Sequence, residues 1–465
     1  MRLTALIVAC ALFMQNLDST VIATALPTMA KAFGADPLHM NVALTAYLLS
    51  LTVFIPASGW VADRYGTRNV FRAAIAIFTL GSVFCGQADT LGSLVLARIF
   101  QGLGGAMMVP VGRLVLLRSV AKSELVAAMA WLTMPALVGP VIGPPLGGLI
   151  ITYASWRWIF DINVPIGVLG IILVSRYVKE VQEPRPDRFD SVGLVLSGVC
   201  LSASVAGLEL SGRHIIAGWL TAALFCAGVL AGWLYLRHAR RHPHPLLDLS
   251  LLRLPSFGVS VLAGTLFRIG IGAIPFLLPL MLQIGFGDSA AQSGMITFAS
   301  SAGAIVMKPA TQATLRWLGF RDTLVGNGVL SAALLALMAA FRPGWPLVAI
   351  YAVLLIGGFF RSLQFTAFNT LAYAEIPRER MSAATSLYST AQQLSMALGI
   401  SAGAAALHLA TGFSHHTAPD LADFSAAFLA VAFVSLLSAP ASLLMPRNAG
   451  HELTEKHLAP AMRGS

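Results

Sequence analysis

Fourteen stretches of about twenty mostly apolar residues follow one another along the chain. They lie at roughly 5–26, 41–62, 70–88, 91–117, 127–152, 157–178, 190–210, 215–236, 256–283, 290–314, 322–341, 345–366, 383–411 and 424–445. A run of that length matches the hydrocarbon thickness of a bilayer when it is helical. A helix also satisfies its own backbone polar groups where no water can. The expectation is an all-α polytopic membrane protein with 14 transmembrane helices. Only 11% of the residues are charged and 57% are hydrophobic, against about 25% charged in soluble domains. An even number of spans puts both termini on one side.

The first dense charge cluster is Gly59–Arg68, GWVADRYGTR. It must be a tight polar hairpin between the second and third runs. With this hairpin inside, the segments on its side hold 21 Lys and Arg, and the opposite segments hold 4. By the positive-inside rule both termini are then cytoplasmic. The same rule accounts for the net charge of +10, so no nucleic-acid partner is expected. Arg2, the first apolar run and Ala23-x-Ala25 mimic a signal peptide. Asp18 inside the run, and the spans after it, argue that the segment is retained. Cys10, Cys85, Cys200 and Cys226 lie in apolar runs without paired spacing and read as packing residues.

Two loops differ from the rest: Glu180–Asp190 (EVQEPRPDRFD) and Arg237–Leu254, which is basic with a short amphipathic tail. They divide the chain into a six-helix bundle (1–180), a two-helix insert with its loops (181–254), a second six-helix bundle (255–446) and a tail (447–465). Arg316–Arg321 (RWLGFR) follows the second helix of the second bundle, as Asp63–Arg68 (DRYGTR) does in the first. Aligning Gly319 with Gly66 superposes Arg321 on Arg68 and puts Arg316 where the first copy has Asp63. Equivalent placement in both halves points to an internal repeat.

Charged and polar residues inside spans are the functional candidates, because a charge at the bilayer centre costs at least ~2.5 kcal/mol. Asp18 is the only acid of the first run, with Gln15 and Ser19 on its face. Burial would raise its pKa and a nearby arginine would lower it, as a proton-coupling group requires; a structural ion pair or a capping acid is the other reading. In the fourth run Arg98, Gly102 and Gly105 share a face with Gln101 beside them. Arg98 is then a buried cation able to pair with Asp18, to steer substrate or proton, or to act as a fixed structural charge. In the fifth run Gly139, Gly143 and Gly147 form a stripe at i, i+4 and i+8 that admits a close neighbour. Pro140, Pro144 and Pro145 should bend that helix. A hinge or seal between bundles suits this pattern, with ordinary packing as the alternative. In the hairpin, Gly66 makes the turn, Arg64 and Arg68 anchor at the inner surface, and Asp63, just past the end of helix two, could cap a helix of the other bundle. Arg113, Arg268, Lys308 and Arg361 face partners or a watery cavity, Arg113 and Lys308 being also placed to snorkel. Asp161, Asn163, Gln283, Gln364, Asn369, Gln392 and Gln393 line a cavity or cross-link helices. His238, His242, His244, His408, His415 and His416 are assigned to loops without a surrounding ligand set, so no metal is expected. No phosphate-binding loop of the GxxxxGK type is present, so energy would come from a gradient rather than ATP.

These residues together resemble the major facilitator superfamily, and within it the fourteen-spanner drug:proton antiporters of the EmrB/QacA type. Gly59, Asp63, Arg64, Gly66 and Arg68 match its first inter-helix signature. Leu17–Pro27 (LDSTVIATALP) matches the first-helix signature of its exporters, and Arg98, Gln101 and Gly102 the RxxQG pattern. Gly139, Pro140, Gly143, Gly147 and Gly148 match the antiporter signature, and Trp156–Gly167 (WRWIFDINVPIG) the sixth-helix hallmark. The stretches MNVALTAYLLS, IPASGW and GGAMMVPVGRLVLL are similar to the MdtD group within that family. Asp161 departs from the hallmark; pairing with Arg157, at i−4, would explain it.

The resemblance implies the major facilitator fold, two six-helix bundles plus two inserted helices, working by alternating access. It implies multidrug efflux, the export of small amphipathic compounds in exchange for protons, with no enzymatic activity and no cofactor beyond the proton gradient. Asp18 would be the proton site and Arg98 its partner. Gly59, Asp63, Arg64, Gly66 and Arg68 would form the inner gate, and Gly139–Gly148 the hinge. Gln15, Gln101, Arg268, Arg361, Asn369 and Gln392 are the cavity candidates. Expected partners are a small-molecule substrate, protons and lipid, with an accessory envelope export protein as a further candidate; a monomer in the bacterial cytoplasmic (inner) membrane is expected. Two other readings stay open. One is export of an endogenous metabolite, such as an organic acid, an amino-acid derivative or a siderophore, which cavity cations without acids would favour. The other is a non-transporting membrane sensor.

Overall fold

A computed structural model describes residues 2–34, 40–180, 188–211, 218–414 and 419–454. Each of the fourteen apolar stretches is helical: α1 (Arg2–Phe33), α2 (41–65), α3 (Thr67–Gly86), α4 (Leu91–Ser119), α5 (Leu125–Tyr153), α6 (Trp158–Tyr177) and α7 (Ser191–Ser211). The series continues with α8 (Gly218–Ala239), α9 (Pro255–Gly285), α10 (Ala290–Leu318), α11 (Phe320–Ala340), α12 (Leu347–Leu371), α13 (Met381–Phe413) and α14 (Leu421–Ser442). Among the described residues, 11 of these are long and apolar enough to cross a membrane; the apolar part of α7 is the shorter Ser191–Gly207, and α5 and α10 are the other two rods.

Local chemistry sets the ends. Reciprocal side-chain caps start α4 (Thr90 with Ser93), α10 (Ser289 with Gln292) and α14 (Asp420 with Asp423), satisfying amides that the first turn leaves free. Single glycines join α2 to α3 and α10 to α11. Gly66 has φ 86°, ψ 138°, and Gly319 has φ 75°, ψ 167°. That backbone region is open essentially to glycine alone. The two turns of the suspected repeat thus share one conformation. Asp63, expected just beyond helix two, lies inside it, because the helix runs on to Tyr65.

Helices α1–α6 pack among themselves, as do α9–α14. The inserted pair α7–α8 packs together and rests on α2 and α13. The two groups meet where α5 lies on α10 and α12, and where α2 and α4 lie on α13. Large apolar side chains such as Leu96, Val229, Trp219, Trp233 and Leu444 are exposed, which suits a surface solvated by lipid. Of the four free cysteines only Cys85 is buried, and Cys226 is exposed.

Several loop assignments give way. His238 lies inside α8 and His408 inside α13. His238, His242 and Asp190 come together, with ligand-type atoms within 4.8 Å of one another, so these histidines do have polar neighbours. Asp190 is occupied as a cap: its Oδ1 accepts from the Gly193 amide at 2.7 Å and lies 2.8 Å from His238 Nε2, and its Oδ2 accepts from the Leu246 amide at 3.1 Å. His415 and His416 lie outside the described residues. Arg157 does not pair with Asp161; its Nη2 reaches Asp89 Oδ1 at 2.8 Å and its guanidinium stacks on Trp156.

Candidate functional site

The most buried charges of the first bundle meet at one point. Arg98 and Asp18 are 0% and 3% exposed. Arg98 Nη1 donates to Asp18 Oδ2 at 2.6 Å and to Gln101 Oε1 at 2.6 Å. Gln101 Nε2 donates to Asp18 Oδ1 at 2.9 Å and to Ser82 Oγ at 2.7 Å. Asn163 Nδ2 donates to the same two acceptors at 3.1 and 3.0 Å. The Tyr47 ring closes the group, its centroid 4.2 Å from Arg98 Cζ. Five helices, α1 to α4 and α6, thus converge on one carboxylate.

Glycines make the convergence possible. A Cβ on Gly81 would lie 2.6 Å from Gln101 Cα, and one on Gly102 would lie 2.9 Å from the Tyr47 carbonyl oxygen. Real Cβ atoms do not approach that closely, so α3, α4 and α2 can meet there only without side chains. The Gly139–Gly143 stripe works the same way, but against α1 of its own bundle rather than across the bundle interface. Cβ positions on these two glycines would fall 3.0 Å from the Leu17 amide and 2.2 Å from Thr20 Oγ1, on either side of Asp18. Gly147 is buried, whereas Gly148 is exposed and faces open space. The side chains of Pro140 and Pro144 lie outside the described residues, and the helix continues through both positions.

A second polar set closes the bundle interface at one end. Asp63 Oδ1 accepts from Arg118 Nη2 at 2.9 Å, and its Oδ2 accepts from the Ser382 hydroxyl, in the first turn of α13. Gly59 sits beneath: a Cβ there would be 2.7 Å from the Ser382 carbonyl oxygen. Ser386 Oγ donates to the Pro56 carbonyl at 2.6 Å, and Lys122 Nζ reaches Glu452 at 2.9 Å. Lys308 Nζ donates to Thr133 Oγ1 at 2.6 Å and to Thr366 Oγ1 at 3.0 Å. Lys122 Nζ also donates to the Ala374 carbonyl at 3.2 Å and Ser386 Oγ to the Ile55 carbonyl at 3.2 Å; these contacts between the bundles lie in the half that holds the Gly66 and Gly319 turns. Arg64 is exposed. Arg68 ties the hairpin to α6 through the Ser175 carbonyl.

The remaining candidates separate. Gln101 belongs to the Asp18 network and is fully buried. Gln15 is half-buried, one turn from Ser19. Arg361 donates to Ser300 Oγ and so links α12 to α10. Asn369 is buried, and its Oδ1 has no donor among the described residues. Arg268 is buried and donates to Tyr388 Oη. Gln392 is half-buried and accepts from Arg113 Nη2 at 3.0 Å. Neither Arg113 nor Lys308 snorkels: they are 5% and 7% exposed. Tyr47, Ser82 and Asn163 were not marked out as a group by sequence; only Asn163 stood out, as an amide within an apolar run.

The Major Facilitator Superfamily profile matches residues 8–400 and, separately, 261–461. Proteins of Salmonella typhimurium (strain LT2) and Salmonella heidelberg (strain SL476), provisionally named multidrug resistance protein MdtD, are 41% identical over 400 residues. Those alignments cover 85% of this chain and 84% of each relative. The crystal structure of the human organic anion transporter MFSD10 (TETRAN) superposes with a TM-score of 0.72. It covers 95% of this chain and 99% of that one at 15% identity, a likeness of fold alone. The multi-pass helical architecture, the paired hairpins and these matches agree: the chain belongs to the major facilitator superfamily, among its MdtD-like members.

Proposed function

We propose that the protein is a proton-coupled secondary exporter of small amphipathic compounds that works by alternating access. It acts as a non-enzymatic carrier in a bacterial cytoplasmic membrane, with both termini inside. The observation that carries this reading is the Asp18–Arg98 pair with its Gln101 and Asn163 donors, deep within apolar helices. A carboxylate there persists only because the cation and the amides compensate it. Protonating Asp18 would release Arg98, and re-ionising it would recapture Arg98, so proton occupancy changes which bonds the cluster can make. The Gly139–Gly143 contact against Leu17 and Thr20 joins that event to α5, the helix that lies on the second bundle. With the termini inside, the end closed by the Asp63 and Ser386 contacts is cytoplasmic. The gradient alone drives the cycle in this reading, with no cofactor, and lipid, protons and cargo are the partners. The metabolite reading draws support from Arg268, Lys308 and Arg361, buried cations without carboxylate partners among the described residues.

The test is flux of an amphipathic dye from proteoliposomes under an imposed pH gradient. The wild-type protein should accelerate it, and Asp18→Asn should abolish the gradient's effect while the folded protein still exchanges substrate. Full gradient-driven flux in Asp18→Asn would refute the coupling role.

A further inference from the structure

Among the described residues, four basic side chains are buried at or behind the bundle interface, and two of them share an environment that the others lack. Arg113 comes from α4 of the first bundle and Arg268 from α9 of the second. Both flank one aromatic ring: their Cζ atoms lie 5.6 and 5.0 Å from the Tyr388 centroid. Arg268 Nη2 donates to Tyr388 Oη, and Arg113 donates to Gln392 Oε1 at 3.0 Å and Tyr373 Oη at 3.4 Å. Arg113 Nε and Arg268 Nη1 have no acceptor among the described residues. Neither guanidinium has a carboxylate partner there, unlike Arg98.

Two like charges brought close in a medium of low polarity repel strongly, and buried charge without a counter-charge is costly. Phenol and amide oxygens supply dipoles but no negative charge. An oxyanion between the guanidiniums would supply that charge and accept from the free N–H groups. The planar guanidinium fork matches carboxylate or phosphate oxygens.

We propose that Arg113 and Arg268, with Tyr388, Tyr373 and Gln392, form an oxyanion subsite that binds the carboxylate or phosphate group of the transported molecule. The proposal rests on the transport reading above and narrows its cargo. The half-buried Gln392 marks the side from which the site is reached. Because the two arginines come from different bundles, their repulsion opposes closure of the cytoplasmic half. A bound oxyanion removes that penalty and lets the half close around the cargo. After the cargo leaves, the repulsion returns and favours reopening inward.

The test uses three compounds with one skeleton, 4-phenylbutyrate, 4-phenylbutanol and 4-phenylbutylamine, titrated calorimetrically against the full chain in phosphatidylcholine nanodiscs. The carboxylate should bind at least about tenfold tighter than the other two. Arg113→Gln and Arg268→Gln should each lose most of that preference, and Arg268→Lys should keep part of it. No preference for the carboxylate in the wild-type protein overturns the proposal, without appeal to any variant. So does a preference that survives in both glutamine variants. Adding phosphatidylglycerol to the nanodiscs should leave carboxylate binding unchanged; loss of binding would show that a lipid headgroup fills the subsite and would overturn the cargo assignment. Flux under a pH gradient separates the two readings. Carboxylate binding that depends on the arginines, with no flux of any compound, supports the subsite and defeats transport. Gradient-driven flux of the amine, with no carboxylate binding, does the reverse.

Discussion

Arg98 of the first bundle and the buried cations of the second are held in opposite ways. In the first bundle, Arg98 is matched by Asp18 at 2.6 Å, and the amides of Gln101 and Asn163 complete the set. In the second, Arg268, Lys308 and Arg361 donate to hydroxyl groups of tyrosine, threonine and serine and, among the described residues, to no carboxylate. A matched pair is an obligate unit, because removing either member strands the other charge. A cation held by hydroxyls strands nothing when it is removed. The first arrangement suits a permanent switch element, and the second suits a surface that takes its counter-charge from a passing molecule.

The largest expected effect follows from that difference. Arg98→Ala should lower unfolding stability by about 3–5 kcal/mol, the cost of leaving a buried carboxylate unpaired. Combining Asp18→Asn with Arg98→Gln should restore a large part of it. Lys308→Met should be neutral or stabilising, since a buried charge disappears and only two hydroxyls lose a donor. Thermal unfolding in detergent measures all three. Equal losses in Arg98→Ala and Lys308→Met would break this contrast.

The hairpins offer the next comparison. Gly66→Ala and Gly319→Ala should each cost about 1–3 kcal/mol, because both put a side chain into a backbone region reserved for glycine. Gly66→Ala should be the worse, since its Cβ would lie 2.3 Å from Glu180 Oε1 whereas Gly319 faces open space. The same melts rank them, and an equal or reversed order would mean that the two turns are not packed as unequally as their neighbours indicate.

Much of this was legible in the sequence for physical reasons. Apolar length fixed the helices, glycine between polar residues fixed both turns, and an acid and a base in neighbouring runs marked Asp18 and Arg98. Other features depend on tertiary contact, which local pattern does not encode. Asp63 could be expected to grip the other bundle, but nothing near it in sequence points to Ser382 or Arg118. The Gly139–Gly143 stripe announces close packing, yet α1 rather than the second bundle fills it, because a stripe states how near a neighbour comes and not which. Arg113 looked like a snorkelling residue, being near a helix end, until Gln392 and Tyr373 took its N–H groups.

Asp63 gives the third test. Asp63→Asn should weaken the Arg118 and Ser382 contacts and open the cytoplasmic half. A loss of about 1.4 kcal/mol would shift the population tenfold. Arg316→Gln, at the matching place in the second hairpin, removes an exposed side chain and should shift nothing. Labelling of a cysteine at Ser386, which is covered by the Pro56 contact in the closed form, reports the change. Equal labelling in the two variants would mean that the latch is not confined to the first hairpin.

The smallest effect concerns the insert, where the carboxylate contrast recurs outside the membrane. Burial pushes the Asp190 carboxyl up, but donation from the Gly193 amide, His238 and the Leu246 amide outweighs it and holds the group below its ordinary value. A depressed carboxyl contributes stability above its unfolded value of about 3.9 and loses it as pH falls through the folded value. Asp190→Asn should therefore melt lower than the wild-type protein at neutral pH, with the gap closing in acid below that range. The carboxylate fastens the start of α7 to His238 of α8 and to the chain at Leu246, so the deficit should appear in exchange of the Gly193 and Leu246 amides while α1 and α4 stay protected. A gap that persists unchanged into acid would show that Asp190 acts by shape rather than by charge, which is the opposite of what is expected for Asp18.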